Sequence, residues 1–335
     1  MDIIEVAKRA KVSTATVSRV LNGSIRVTEK TSARVRKVVA ELNYVPNSNA
    51  RSLRFGRTRL FGLIISDIKN PFFPELIDAF EALAATESID VIFTHTDYDP
   101  KRLVNCVRRM VDRNVDGIAV MTSEVDEEAL TQAEQARIPL VLLNQMGLRD
   151  RYSNIPVDYS QGFREATDHL MSLGHRDIGF IAGPRSLSSA RRRKQAFQAT
   201  LRKCGLRQHN EWTVVGDMRV EGGSRAMEEI LAGATRPTAL VATNDLMAIG
   251  AIETARKTGV RIPSDISLLG FDDLPLSSLV FPKLSTIHLS RQEIALRAFS
   301  GLMEATKSGN KVIPQGEPIR PRLIVRESTG KPSSI

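Results

Sequence analysis

Ser13-Thr14-Ala15-Thr16-Val17-Ser18-Arg19-Val20-Leu21-Asn22-Gly23 reads as one short helix with its own start and stop signals. The Ser13 hydroxyl can accept an orphan backbone N–H at the start. Val17, Val20 and Leu21 supply a buried stripe, and Asn22-Gly23 ends the helix. Just upstream, Ile4, Val6, Ala7 and Ala10 place small apolar groups on one face of an earlier helix, with Lys8, Arg9 and Lys11 off that face. Two short helices across a tight turn, the second polar-faced, form a helix-turn-helix pattern. Downstream, Thr28 is expected to cap a third helix over 29 to about 42, with Val35, Val38, Val39 and Leu42 inward. Three such helices give a core of roughly 45 residues, marginal alone.

The charge of the chain is concentrated here. Residues 1–60 hold 13 Lys and Arg against 4 Asp and Glu, a balance of +9, which equals the net charge of the whole chain. The other 275 residues carry 34 of each sign. So sharply bounded a basic segment is an electrostatic footprint for a polyanion, and nucleic acid fits best. A small helical bundle with a solvated basic face would carry the same charge. The next segment, Pro46-Asn47-Ser48-Asn49-Ala50-Arg51-Ser52-Leu53-Arg54, separates the two readings. It is basic and too short to hold a helix alone in water. Leu53 has nothing local to bury against, which suits a segment that orders on a partner.

The rest of the chain bounds the class. A length of 335 residues suits one small domain plus one large or two medium ones. The two cysteines, Cys106 and Cys204, lie far apart with no CxxC and no histidine cluster. That argues against a disulfide scaffold or a metal site and fits a reducing cytosol. The N-terminus lacks the basic and apolar regions of a signal peptide. No stretch approaches the ~18 apolar residues of a membrane span. A cytoplasmic protein without a membrane partner is expected.

From residue 60 the pattern alternates. Strand-like runs fall at 60–65, 90–93, 117–121 and 140–143, then 178–181, 213–215, 239–242 and 266–270. Helical stretches separate most of them, at about 74–87, 101–113, 126–135, 160–173, 188–204, 221–231 and 245–257. Such alternation builds parallel sheets with helices on both faces. Eight units exceed a comfortable single sheet and split evenly near 154–158, so two similar α/β lobes are expected. A late strand at 285–288, a helix over 291–307 and a last strand near 323–326 follow.

The motifs of the head, with Val6-Ala7, Val12-Ser13, Ala15 to Gly23, Tyr44-Val45-Pro46-Asn47 and Ala50-Arg51-Ser52-Leu53, resemble the DNA-binding head and hinge of the lactose/galactose repressor (LacI/GalR) family. The likeness continues through Asn70-Pro71-Phe72-Phe73, Leu173-Gly174-His175, Gly183-Pro184, Thr243-Asn244-Asp245, Gly270-Phe271-Asp272-Asp273 and Ser285-Thr286-Ile287. The resemblance implies a small all-α helix-turn-helix head over 1–46, a hinge helix and linker over 47–59 and a body over 60–335. The body would have the doubly wound, two-lobed fold of type I periplasmic sugar-binding proteins. Three crossings near 157–160, 289–292 and 320–322 would divide it into lobes of about 60–158 plus 291–320 and about 159–289 plus 321–330.

In that family the second helix enters the major groove, and the paired hinge helices of a dimer enter the minor groove. Carried onto this chain, Thr14, Ala15 and Arg19 become base readers, and Ala50, Leu53 and Arg54 minor-groove contacts. Ser13, Thr16, Ser18, Asn22, Asn47 and Arg51 complete the DNA-binding set, most of them as phosphate contacts that fix register. Arg19 can fork onto guanine O6 and N7, while Ala15 offers only a methyl. Leu53 can unstack a base step and bend the duplex. The competing readings are a solvated surface position for Arg19 and a contact with the body for Leu53.

Ligands of open α/β sheets sit beyond the carboxyl ends of the strands. Those ends offer residues 67–73, 122–123, 144, 183–185, 217–218, 244–245 and 272–273, many of them polar. The family likeness selects Phe72, Phe73, Ser123, Asn144, Ser189, Arg193, Met218, Asn244 and Asp272 as effector-binding residues. The competing reading for each is a strand-end residue satisfying its own loop. Many relatives carry a large aromatic where this chain has Met218, and a thioether stacks less well on a sugar ring. Arg185, Arg191 and Arg192 join Arg193 in a basic run, either a solvated helix start or a preference for an anionic effector.

A metabolite-controlled transcription regulator, a repressor binding a palindromic double-stranded DNA operator as a homodimer, is therefore expected. Its effector would be a sugar, sugar phosphate or sugar acid, with a purine less expected. No cofactor is implied. The tail 327–335 lacks a leucine heptad, so the tetramer-forming helix of some relatives is not expected. The alternatives are an α/β enzyme, which the lack of GxGxxG, GxxxxGK[ST], GxSxG and HExxH opposes, and a transport solute-binding protein, which the basic head opposes.

Overall fold

Asp2 starts the first helix, α1 (Ile3–Ala10), by accepting the Glu5 amide on Oδ1 at 3.0 Å. The computed structural model describes residues 2–21, 27–44, 57–148, 151–314 and 316–333. The chain divides into units 1–59 and 60–335. In the first, Val6, Ala7 and Ala10 of α1 are buried and Ile3 is packed against them. Ile4, expected on that face, is instead 63% exposed. Ile3, Val6, Ala7 and Ala10 keep the i, i+3, i+4, i+7 spacing, and Ile4 lies about 100° away around the helix.

Lys11 ends α1 in left-handed backbone at φ 52°, and the Val12 amide returns to the Ala7 carbonyl at 3.0 Å. The Ser13 Oγ then accepts the Thr16 amide at 3.1 Å and opens α2 (Thr14–Leu21), whose Val17 and Val20 are buried. The third helix, α3 (Glu29–Glu41), buries Val35 and Val38, with Leu42 beyond its end. Thr28 stands at its start, but its hydroxyl does not accept a helix amide as expected. It is turned to donate to Thr31 Oγ1 at 3.0 Å. The expected stop at Asn22-Gly23 and the hinge segment 46–54 lie outside the described residues.

The second unit alternates strand and helix as its sequence predicts. Strands β1 (Leu60–Ile65), β2 (Asp90–His95), β3 (Gly117–Met121), β4 (Leu140–Leu143) and β5 (Ser153–Ile155) form a parallel sheet in the order β2-β1-β3-β4-β5. Helices α4 (Phe72–Thr86), α5 (Pro100–Asp112) and α6 (Glu127–Gln135) connect the first four. The edge strand β5 was not anticipated. Two of its three residues are polar, and both are used: Ser153 Oγ accepts the Ile313 amide and Asn154 Oδ1 the Gln145 amide, at 2.8 and 2.7 Å.

The second lobe carries β6 (Ile178–Ala182), β7 (Thr213–Val215), β8 (Ala239–Ala242), β9 (Ser267–Asp272), β10 (Ser285–His288) and β11 (Arg322–Ile324). Their order is β11-β10-β9-β8-β6-β7, all parallel except β11 against β10. Its helices are α7 (Tyr159–Ser172), α8 (Ser188–Lys203), α9 (Val220–Ala232) and α10 (Asp245–Lys257). Strand β9 runs two residues past its expected end at Gly270, which carries Asp272 to the sheet's carboxyl edge.

The chain passes between lobes three times. Val157 bridges Ile319 where the first and third passages run side by side, and the Asp158 amide reaches the Ile319 carbonyl at 2.9 Å. The second passage leads into α11 (Arg291–Lys307), which returns to the first lobe. There Phe299 meets Phe61 and Phe80 edge-on at 5.9 and 5.8 Å. Helices α9 and α10 cross closely because glycines face each other. A Cβ on Gly250 would stand 1.9 Å from the Val220 carbonyl oxygen, and one on Gly223 2.0 Å from that of Met247. No helix among the described residues is long and apolar enough to cross a membrane.

Candidate functional site

The head presents one candidate surface. On α2, Thr14, Ala15 and Arg19 are exposed, Thr16 and Ser18 half-buried, and Val17 and Val20 buried. Ala15, Ser18 and Arg19 share a face by their three- and four-residue spacing. Ser13, exposed, already accepts the Thr16 amide, and its oxygen lies 3.0 Å from Thr16 Oγ1, so the two hydroxyls act as a pair. Asn22, Asn47, Ala50, Arg51, Leu53 and Arg54 lie outside the described residues.

The second surface is a cavity of about 60 Å3 between the lobes, partly open to solvent. Eight of the nine expected effector residues line it: Phe72, Phe73, Ser123, Asn144, Ser189, Arg193, Met218 and Asp272. Its centre is a buried ion pair. Arg193 Nη2 stands 2.9 Å from Asp272 Oδ1, and Nη1 donates to the Thr243 carbonyl at 2.8 Å. The guanidinium lies 4.0 Å over the Phe271 ring and 5.5 Å from that of Tyr159. Burial pushes the Asp272 carboxyl up, and the Arg193 charge opposes that push. Burial acts to lower the Arg193 pKa, but the charge and hydrogen bond of Asp272, together with Tyr159, raise it overall and keep the guanidinium charged. Asp272 holds φ at 111°, and Arg291 fixes its carbonyl.

Phe72 and Phe73 begin α4, two residues earlier than expected, because Asn70 Oδ1 accepts the Phe72 amide at 3.0 Å. Their rings meet edge to face at 5.3 Å, so the pair does not present two parallel faces. Ser123 from the first lobe sits 3.1 Å from Ser189 of the second. Ser188 donates to the Ser123 carbonyl and takes the Glu124 carboxylate on its amide, both at 2.8 Å. Asn144, at φ 53°, accepts the Val157 amide on Oδ1 and an Arg192 N–H on its carbonyl.

Asn244 is the exception. It is fully buried and stands behind the cavity wall, as the cap of α10. Its Oδ1 accepts the Met247 amide at 3.0 Å and its Nδ2 donates to the Met218 carbonyl at 2.8 Å. The strand-end position is as expected, but both polar atoms are spent on the protein. Within the basic run, Arg192 also lines the cavity, whereas Arg185 is exposed and Arg191 donates to the Arg185 and Ser186 carbonyls at 2.8 Å. Sequence reasoning missed Ser66, Tyr98, Tyr159 and Ser188, which add hydroxyls to the wall, and offered Asn70, which adds an amide, only within the strand-end stretch 67–73. Asn70 also belongs to a quoted motif; Tyr98 follows β2 with no motif around it.

Asp245, beneath Asp272, is fully enclosed. It accepts Leu274 N, Ser277 Oγ and Thr286 Oγ1 at 2.7, 2.6 and 2.5 Å. Burial, then the nearby Asp272 charge, push its carboxyl up to about 7 from 3.8. The folded state therefore holds this proton more tightly than the unfolded chain. The contribution to stability is complete below about pH 4 and is lost as pH rises through 7. In a thermal-unfolding series, Asp245→Asn should lack this downward slope, and curves that stay parallel to wild type would contradict the assignment.

A three-helix head with an exposed polar recognition helix and a two-lobed body with a polar interlobe cleft define a DNA-binding regulator with a ligand-sensing domain. Comparison with known proteins agrees. Residues 2–47 match the model for bacterial regulatory proteins of the lacI family, and residues 167–329 match a periplasmic binding protein-like domain. The HTH-type transcriptional repressor PurR of Pasteurella multocida is 34% identical over 330 residues, covering 97% of this chain and 98% of its own. That of Pectobacterium atrosepticum is 35% identical over 328 residues, covering 97% and 96%. The lac repressor dimer bound to operator and the anti-inducer ONPF superposes with a TM-score of 0.88 at 26% identity, over 98% of this chain and 99% of that one. The CelR–cellobiose complex superposes at 0.71 and 26% identity over the same shares. The chain belongs to the LacI family, as a DNA-binding transcriptional repressor with an effector-binding body.

Proposed function

We propose that this repressor binds a palindromic operator as a cytoplasmic homodimer and is controlled by a hydroxyl-rich metabolite, a sugar or sugar derivative, in the interlobe cleft. The observation that carries the ligand class is the Arg193–Asp272 pair ringed by hydroxyls of Ser66, Ser123, Tyr98, Tyr159, Ser188 and Ser189. A carboxylate accepts from sugar hydroxyls, a guanidinium donates a planar fork to them, and serines do either. A purine would be better served by parallel aromatic faces than by an edge-to-face Phe72–Phe73 pair and Met218. The cellobiose complex named above lends support, as a relative at 26% identity holding a sugar. Its central charged pair is engaged with itself and with backbone, as suits a receptor. Lobe closure would change where the two hinges leave a dimer, so that hinge helices order on DNA in one state only.

The ligand class is tested by titrating sugars, sugar phosphates, sugar acids and purine bases into the purified protein by calorimetry. Binding of a sugar-type compound, lost in the Arg193→Ala protein, supports the reading. Binding of a purine base alone overturns it.

On the DNA side, the exposed Arg19 is assigned to base reading. Arg19→Ala should cost about 1–3 kcal/mol on the best operator and relax preference at one base position. Equal losses on every sequence, measured by competition binding, would make Arg19 a phosphate contact.

A further inference from the structure

The loop after β2 holds two consecutive residues in left-handed backbone, Asp97 at φ 53° and Tyr98 at φ 60°, and neither is glycine. Such backbone persists where the surroundings impose it. The Asp97 amide is fixed on the Ser66 carbonyl of its own lobe at 2.7 Å, and the side chains of the loop meet the other lobe. Arg219 reaches across to Asp97 at 3.1 Å and to the buried Asp67 at 3.7 Å. The Tyr98 ring packs against the apolar cluster of the second lobe that contains Met218. Met218 is itself left-handed at φ 68°, with its carbonyl held by Asn244. Tyr98 lines the cavity beside Asn70, whose side chain starts α4.

Residues 97–98 and 218–219 thus form one bridge across the cleft. Two others are already described, Arg192 to the Asn144 carbonyl and Ser188 to Glu124 and Ser123. The cavity lies among the three. A volume of about 60 Å3 is below the roughly 150 Å3 that takes up one benzene ring, so the lobes must part slightly for a single ring, and a longer ligand must also break a bridge to protrude.

We propose that Tyr98 is a specificity-determining wall of this cleft, supplying from the first lobe the aromatic surface that Met218 does not offer and limiting the effector to a single-ring molecule. The proposal rests on the cleft being a sugar-type effector site. A phenol ring gives a rigid flat face with a polar tip, which a flexible thioether cannot. Exclusion of longer ligands follows from filled space rather than from weaker attraction.

The test uses the full-length protein, wild type, Tyr98→Ala and Tyr98→Phe. Calorimetry is run with single-ring aldoses, their phosphates and acids, and with cellobiose and lactose. Wild type should bind single-ring compounds only. Tyr98→Ala should lose about tenfold in affinity for them and gain binding of a disaccharide, while Tyr98→Phe keeps the size limit. Disaccharide binding by wild type, or an unchanged Tyr98→Ala profile, overturns the proposal. Amide hydrogen exchange without ligand separates this from failure of the sugar reading. If no sugar binds, the wall still predicts faster exchange around residues 216–222 in Tyr98→Ala than in Tyr98→Phe. Equal rates would remove the wall as well.

Discussion

Asp272→Ala should leave operator binding in place and abolish the response to the effector. Asp272 is buried with its partner Arg193 at 2.9 Å, and the pair forms the charged centre of the cleft. Truncation removes the acceptor for the ligand and strands a guanidinium away from water. Breaking a buried pair by removing one partner costs about 3–5 kcal/mol, because the surviving charge stays unpaired. The body should therefore melt earlier, while the head keeps its own apolar core of Val6, Val17, Val20, Val35 and Leu42. Asp272→Asn preserves the shape and one acceptor oxygen, so it should fold better and still lose most of the response. The measurement is operator binding with and without effector, below the melting temperature. A normal response in both variants would move the effector site elsewhere.

Gly250→Ala should also lower stability strongly although it adds one methyl group. The new Cβ would stand 1.9 Å from the Val220 carbonyl and 2.8 Å from the Ser224 amide nitrogen, both backbone atoms. No rotamer relieves such a clash, and α9 and α10 must separate. Overpacking of a filled interior costs about 1–3 kcal/mol, and this contact belongs at or above the top of that range. In an unconstrained helix the same substitution would stabilise, since glycine costs about 1 kcal/mol relative to alanine. The start of α9 follows Met218 and that of α10 follows Asn244, so the displaced helices should weaken effector binding too. Gly147→Ala, with no atom within 4 Å of its new Cβ, is the control and should change little. Equal melting points for the two variants would show that the helices yield cheaply.

How much of this was legible in the sequence depended on whether a residue's neighbours lie near it in the chain. The buried strands at 60–65 and 117–121 declared themselves as apolar runs, and Ser13 announced α2 through a bond closed within four residues. Ile4 was placed on the wrong face because adjacent isoleucines both suit a short apolar stripe; the packing of half-buried Ile3 against the head core decides between them. Strand β5 was invisible, since Ser153 and Asn154 are polar and their partners come from Ile313 and Gln145. In the cleft, Arg193 and Asp272 could be picked by type and position, yet the same reasoning picked Asn244, whose side chain is consumed as a helix cap. Nothing local distinguishes the two cases. Tyr98 was missed for the opposite reason: it carries no motif, and its place depends on Arg219 and the Met218 cluster, 120 residues further along the chain.

The central claim is that this chain reads a specific DNA sequence as a dimer. The direct test is to incubate the purified full-length protein with sheared DNA from the organism that encodes it, at about 0.15 M salt, and to sequence what is retained. The account predicts enrichment of a short palindrome near promoters, with half-sites spaced for two recognition helices. Retention without any shared sequence would contradict it, leaving a basic head that holds phosphate alone.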